Sequence, residues 1–332
     1  MKFTEFFWDF DGTLFNSYPR MNRAMKNALK DAANVESDDE TLAKLTKVTI
    51  GHAARVLAPE HEKTVMESFR LHLNDEGVDS MQPYEGAKRM LESVCAHGGR
   101  NYLYTHSGII TVKALKHYGM AHLFTDFITK ETSKEKGFAV KPAPDALLYM
   151  LDKHSLDPAA CVMVGDRDID LLAGKNAGIS GALFDPDGYY AGYDTPYSYA
   201  TFFDMMADLV WEQHPHDLRV GDMYAIQRML QARHPEWGGL HSGRARNQLL
   251  WMIGEAGEVI DILKKCKLDD IENNPELRAR FVEEMVDVAM YMNEVCLCLG
   301  VTEEEFSQAY FKKHLYNMER DYKKANKDRY GC

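Results

Sequence analysis

Four short apolar runs constrain this chain most: TEFFWDF (4–10), NYLYTHS (101–107), ACVMVGD (160–166) and SGALFD (180–185). Runs this short and this uniformly apolar read as strands buried on both faces. Helical periodicity lies between them, as in YEGAKRMLESVCAHG (84–98) and PDALLYMLDKHS (144–155). Strand and helix in alternation predict a doubly wound α/β fold, a parallel sheet with helices on both faces. Residues 16–82 break the rhythm with helical patterns alone, and are expected to form a helical cap over the sheet's carboxyl edge.

From about residue 222 no strand pattern remains. Helical patterns run over 222–234, 244–266, 276–299 and 303–326, which predicts an all-α bundle over 222–332. Two domains also suit 332 residues, more than one core usually organises. Residues 1–212 form the first, and the polar, proline-containing stretch 213–221 is the expected linker, its His214 and His216 read as solvated. With 39 basic against 51 acidic residues, the chain lacks the positive excess that holds a nucleic-acid polymer. The six scattered cysteines suggest a reducing compartment, with Cys296 and Cys298 as packed thiols. No signal-like start and no membrane-length apolar stretch is present, so a cytoplasmic chain without membrane contact is expected.

The first chemical cluster follows the strand ends. In WDFDGTL, Asp9 and Asp11 are two apart and face one side, and ligands bind at the carboxyl ends of parallel strands. LYTHSG ends a strand at Thr105, VKPAPDAL places Lys141 before a helix, and MVGDRDIDLLAGKNAG ends a strand at Asp166, with Asp168 and Asp170 following. In this order the motifs resemble the haloacid dehalogenase superfamily of phosphohydrolases, and the inserted cap resembles the phosphoglycolate phosphatase-like branch. The resemblance implies that Asp9 is the nucleophile and Asp11 the general acid and then base. It further implies that Thr105 binds phosphoryl oxygens and Lys141 neutralises charge. Asp9, the Asp11 carbonyl and Asp166 would hold Mg²⁺, or Mn²⁺, with Asp170 in support. His106 is read as lining the site or packing under the cap, with a second base as the alternative. VTIGHAARVL (48–57) resembles the cap stretch that reaches the substrate in this branch, which makes His52 and Arg55 candidate substrate contacts, with solvated helix residues as the alternative.

The second cluster lies in LLWMIGEAGEVIDIL (249–263), an apolar helix carrying Glu255 and Glu258 one turn apart. RFVEEMVDVAMYMNEVCLCLG (280–300) repeats the arrangement with Glu284 and Asp287, and Glu283 beside them. Helices apolar nearly all round are expected to be buried, in a bundle or against another subunit, and carboxylates meeting inside a bundle call for divalent cations. The lack of Glu-x-x-His spacing favours Mg²⁺ or Mn²⁺ over a di-iron centre. EAGE followed by EMVD looks like the MazG-type nucleoside triphosphate pyrophosphohydrolases, and KHLYNMER (313–320) resembles their phosphate-binding tail through Lys313, Asn317 and Arg320. In LHSGRARNQ (240–248), His241, Arg244 and Asn247 are further candidates. The resemblance implies Mg²⁺-dependent release of pyrophosphate from nucleotides and a homodimer or larger homo-oligomer built through the bundle.

The expectation is therefore a bifunctional hydrolase acting on phosphorylated small molecules and nucleotides. The alternative is a small phosphate-ester phosphatase whose bundle serves only oligomerisation or nucleotide sensing.

Overall fold

The computed structural model describes residues 1–212 and 218–319. It divides into two compact units, residues 1–215 and 216–332.

Among the described residues the first unit holds eight strands: β1 (Glu5–Trp8), β2 (Phe15–Asn16), β3 (Gln82–Pro83), β4 (Arg100–Tyr104), β5 (Phe124–Ile128), β6 (Cys161–Gly165), β7 (Ser180–Phe184) and β8 (Ser198–Tyr199). Its α-helices are α1 (Tyr18–Ala33), α2 (Asp39–Val48), α3 (Ile50–Leu57), α4 (Glu62–Asp75), α5 (Ala87–Ala96), α6 (Ile110–His117), α7 (Lys130–Lys136), α8 (Asp145–Lys153), α9 (Asp168–Asn176) and α10 (Phe202–Leu209). The parallel sheet has the order β5-β4-β1-β6-β7-β8.

The central strand β1 is buried on both faces. Phe7 stacks on Tyr102 in a core completed by Met163, Leu147 and Met150. Phe6 and Trp8 stack on each other, and Trp8 packs against Phe202. Edge strands β5 and β8 were not legible in the sequence.

Helices α1 to α4 form the expected cap around Ala24, Met25, Leu29, Leu42, Ala53, Val65 and Phe69. The antiparallel pair β2–β3, Phe15 opposite Pro83 and Asn16 opposite Gln82, closes the cap's base.

The second unit comprises α11 (Val220–Arg233), α12 (Ala245–Lys265), α13 (Leu268–Asn273), α14 (Pro275–Cys298) and α15 (Glu303–Glu319). Helix α11 begins inside the expected linker; His214 and His216 lie outside the described residues. The burial expected of α12 and α14 is partial within this unit, and the other expected cover, another subunit, lies outside a single chain. Leu250, Trp251 and Ile253 on α12, and Val282, Met285 and Val286 on α14, are exposed. The two helices pack along one another, and α14 also packs on α11 and α13. Cys298 is buried and Cys296 partly so. Among the described residues no single helix is long and apolar enough to cross a membrane.

Candidate active site

Register brings the first site together. Trp8 pairs with Leu103 on one side and Val164 on the other, so the three central strands end at one level. Asp9, Thr105 and Asp166 follow those ends, all buried. Oxygens of Asp9, Asp166 and Asp170 lie within 4.8 Å of one another. Lys141, on the loop before α8, sends its ammonium to Asp9 Oδ1 at 2.7 Å and to the Tyr104 carbonyl at 2.9 Å. The same ammonium is 2.8 Å from Asp170 Oδ1.

Glycine is required at two close approaches. At Gly12, with φ +80°, a Cβ would stand 2.3 Å from Asp166 Oδ2. At Gly165 it would stand 2.2 Å from the Asp170 Cβ.

Burial pushes the Asp9 carboxyl up to about 7; Lys141 opposes this, while Asp170 and Asp166 reinforce it. Asp166 is likewise raised, mainly by burial, with Lys47 opposing. Burial works against the Lys141 ammonium, yet Asp170 and Asp9 hold it above its ordinary range. Crowded carboxylates of this kind call for a cation. Asp170 Oδ1 supports that fit: it is buried and, despite its ion-pair distance to Lys141, receives no well-directed hydrogen bond. Three hard oxygen donors suit Mg²⁺.

Asp11 is half-buried and accepts a hydrogen bond from the Ser107 hydroxyl. The Ser107 backbone N–H donates to Thr105 Oγ1 at 3.0 Å. His106 Nε2 accepts from the Lys141 backbone N–H at 3.0 Å. Burial, aided by Lys141, lowers the His106 pKa to about 4, so the ring stays neutral and fixes the lysine loop. Asp168 sits apart from the acidic trio and accepts from the Ile169 N–H.

Sequence reasoning missed Tyr18, Lys47 and Arg167. The Tyr18 hydroxyl and the Lys47 ammonium both reach Asp166 Oδ2, at 2.8 and 2.6 Å. Arg167 is held above its ordinary range by Asp170 and Asp9 against the cost of burial. Its position directly after Asp166 was the available signal.

A cavity of about 740 Å³ lies between cap and sheet, lined by Asp11, Ser107 and His106 below and by Arg20, Phe69 and Arg70 above, among others. His52 and Arg55 are not among its lining residues. His52 donates its backbone N–H to the helix-capping Thr49, and Arg55 pairs with Glu62 at 3.2 Å.

In the second unit, oxygens of Glu255, Glu284 and Asp287 lie within 4.8 Å of one another, each carboxylate half-buried. Burial raises the Glu255 pKa, and Asp287, Glu258 and Glu284 add to it. Glu258 is exposed and stands outside the trio, as does Glu283. A neighbouring pocket of about 310 Å³ is lined by Trp237, Arg244, Trp251, Asp287, Tyr291 and Glu294, among others. Buried Glu294 accepts from the side-chain amides of Gln227 at 2.7 Å and Gln231 at 2.6 Å, and from Gln248. Arg244 donates to Gln231 Oε1 at 3.2 Å and to the Gly239 carbonyl at 2.7 Å. His241 and Asn247 are exposed. Helix α15 packs on α11 through Phe306 and Tyr224. Lys313 is exposed over the Tyr316 ring, and Asn317 is half-buried. Neither lines the pocket, and Arg320 lies outside the described residues.

Comparison with known proteins follows the first unit. A phosphoglycolate phosphatase of Aliivibrio fischeri is 28% identical over 183 residues, covering 52% of this chain and 79% of the relative. One from Aquifex aeolicus is 28% identical over 182 residues, covering 53% and 82%. A crystal structure described as a predicted phosphoglycolate phosphatase from Haemophilus somnus shares the fold, with TM-score 0.54 at 22% identity over 63% of this chain and 98% of its own. The profile of the haloacid dehalogenase-like hydrolases matches residues 6–184, more than half of the sequence, and the chain belongs to that family.

Proposed function

We propose that the first unit is a Mg²⁺-dependent phosphatase that hydrolyses a small phosphate monoester of the phosphoglycolate kind through an aspartyl-phosphate. The observation that carries this reading is the convergence of Asp9, Asp166 and Asp170 at the strand ends, with Lys141 bridging Asp9 and Asp170. Asp9, the Asp11 carbonyl and Asp166 would hold the cation, with Asp170 beside them. When bound, Mg²⁺ supplies positive charge that offsets the repulsion between a carboxylate and a phosphate.

Asp9 attacks phosphorus, and the bond from phosphorus to the ester oxygen breaks. Asp11, oriented by Ser107, gives its proton to the departing alkoxide. Asp11 then takes a proton from water as that water attacks the aspartyl-phosphate, which releases phosphate and regenerates Asp9. Lys141 neutralises charge on Asp9 and the phosphoryl oxygens, and Thr105 donates a hydrogen bond to them. Arg20 and Arg70 in the cavity wall supply positive charge for an anionic ester. The test is phosphate release by the full chain across a panel of phosphate esters, with D9N as the control. Release by D9N at the wild-type rate would overturn the assignment.

The half-buried trio Glu255, Glu284 and Asp287 beside an aromatic pocket supports a second reading, for the second unit: hydrolysis of nucleoside triphosphates to monophosphate and pyrophosphate. Mg²⁺ or Mn²⁺ would be held by these acids. Its test is pyrophosphate release from a nucleotide panel by wild type and E284Q. The exposed apolar residues of α12 and α14 support self-association through this unit. If no nucleotide is cleaved, the unit serves as an oligomerisation or sensing module.

A further inference from the structure

We propose that Lys47 competes with the divalent cation for Asp166, so that binding the cation releases a cap tether. Lys47 belongs to α2 of the cap, and its ammonium lies 2.6 Å from Asp166 Oδ2. The Asp166 side chain is fully buried and that of Lys47 only 11% exposed. The same oxygen receives the Tyr18 hydroxyl at 2.8 Å, and the ammonium sits 4.8 Å from the centre of the Tyr18 ring. Both donors come from the cap, at the start of α1 and near the end of α2. Among the described residues, the other carboxylate oxygen, Oδ1, meets the Thr13 hydroxyl at 3.5 Å.

A hard cation binds a carboxylate through its oxygen lone pairs. Oδ2 already carries an ammonium at contact distance and a hydroxyl. A divalent ion on either oxygen of this carboxylate would place two like charges a few ångströms apart, in a setting where screening by water is weak. The opposite side of that oxygen is crowded: Gly12 approaches so closely that even a Cβ there would stand 2.3 Å from Oδ2 and 2.5 Å from the Tyr18 ring. The movable charge is therefore Lys47, on a flexible stem carried by a cap with its own apolar core. Cation binding and the Lys47 contact then oppose each other. By linkage, each weakens the other by the same factor.

This inference rests on the proposed metal-dependent reading of the first unit. The experiment uses the full chain and Mg²⁺ alone. Isothermal titration should show K47M binding Mg²⁺ at least fivefold more tightly than wild type, with K47R close to wild type. In wild type, acetylation of Lys47 by an amine reagent, followed by mass spectrometry, should quicken at least threefold at saturating Mg²⁺. Lys153, paired with Asp126 at 2.6 Å, serves as the internal control and should not change. If Mg²⁺ binds wild type and K47M equally, or leaves Lys47 acetylation unchanged or slower, the competition is overturned while the metal-dependent reading stands. No binding heat in either protein overturns that reading and the competition with it.

Discussion

Lys141 Nζ lies 2.7 Å from Asp9 Oδ1 and 2.8 Å from Asp170 Oδ1, so one buried ammonium bridges the candidate nucleophile and a candidate metal ligand. Removing it leaves two buried carboxylates with only Arg167 as a neighbouring counter-charge. K141M should therefore lower stability by about 3 kcal/mol, the scale of a broken buried pair, and cut kcat by roughly 10²-fold or more. Mg²⁺ should recover part of the melting temperature but little of the rate. Urea melts with and without Mg²⁺, alongside steady-state kinetics, read both effects.

D9N removes a carboxylate whose ionisation burial already opposes. The variant should fold normally and lose at least about 10³-fold in phosphate release. Any pyrophosphate release by the second unit should persist. Loss of both activities in a folded protein would contradict separate sites.

His106 gives the fold a pH signature. Its folded pKa, about 4, lies below the ordinary value of 6.5, through burial and then Lys141. Both states are neutral above pH 6.5, so it has no effect there. As pH falls from 6.5 towards 4 the unfolded chain binds a proton that the folded chain refuses, and stability drops; below 4 the loss levels off. The slope should amount to about 1 kcal/mol between pH 7 and 5 after allowance for partial exposure. H106Q should flatten it in denaturant melts.

In the cap, R70A should raise KM about tenfold with little change in kcat, since Arg70 lines the cavity. R55A should stay within about twofold, since Arg55 faces Glu62 on an exposed surface. The opposite ranking would return specificity to the 48–57 stretch.

In the second unit, E255Q deletes one of several crowded like charges. It should raise the melting temperature in chelator and reduce the upward shift produced by Mg²⁺. A wild-type melt indifferent to Mg²⁺ and nucleotide together would remove the metal site from this unit.

The sequence made legible what was local. Strands β1, β4, β6 and β7 are short apolar runs because both their faces are covered, and Asp9, Thr105 and Asp166 stand just past such runs. Strand β5 escaped notice because Asp126 interrupts its apolar pattern at the sheet edge. Lys47 reads as one more solvated helix lysine until folding brings it across 119 positions to Asp166. Arg55 and His52 carried attractive chemistry, but helix geometry turned the arginine towards Glu62, one turn beyond its own helix. Apolar residues all round α12 and α14 suggested burial, which needs neighbours on every side, and within the described residues each has its main neighbour on one side.

The pairing of Phe15 and Asn16 with Pro83 and Gln82 brings the two ends of the cap side by side. The chain thus leaves and re-enters the sheet domain at almost one point, and every acid proposed for chemistry lies outside that excursion. A foreign segment with similarly spaced ends could replace residues 17–81 without disturbing strand register. Such a graft would exchange the choice of ester and keep the hydrolytic core. It would also discard Lys47 and Tyr18, the two cap groups that touch Asp166, leaving the carboxylate proposed to hold the cation without its proposed competitor.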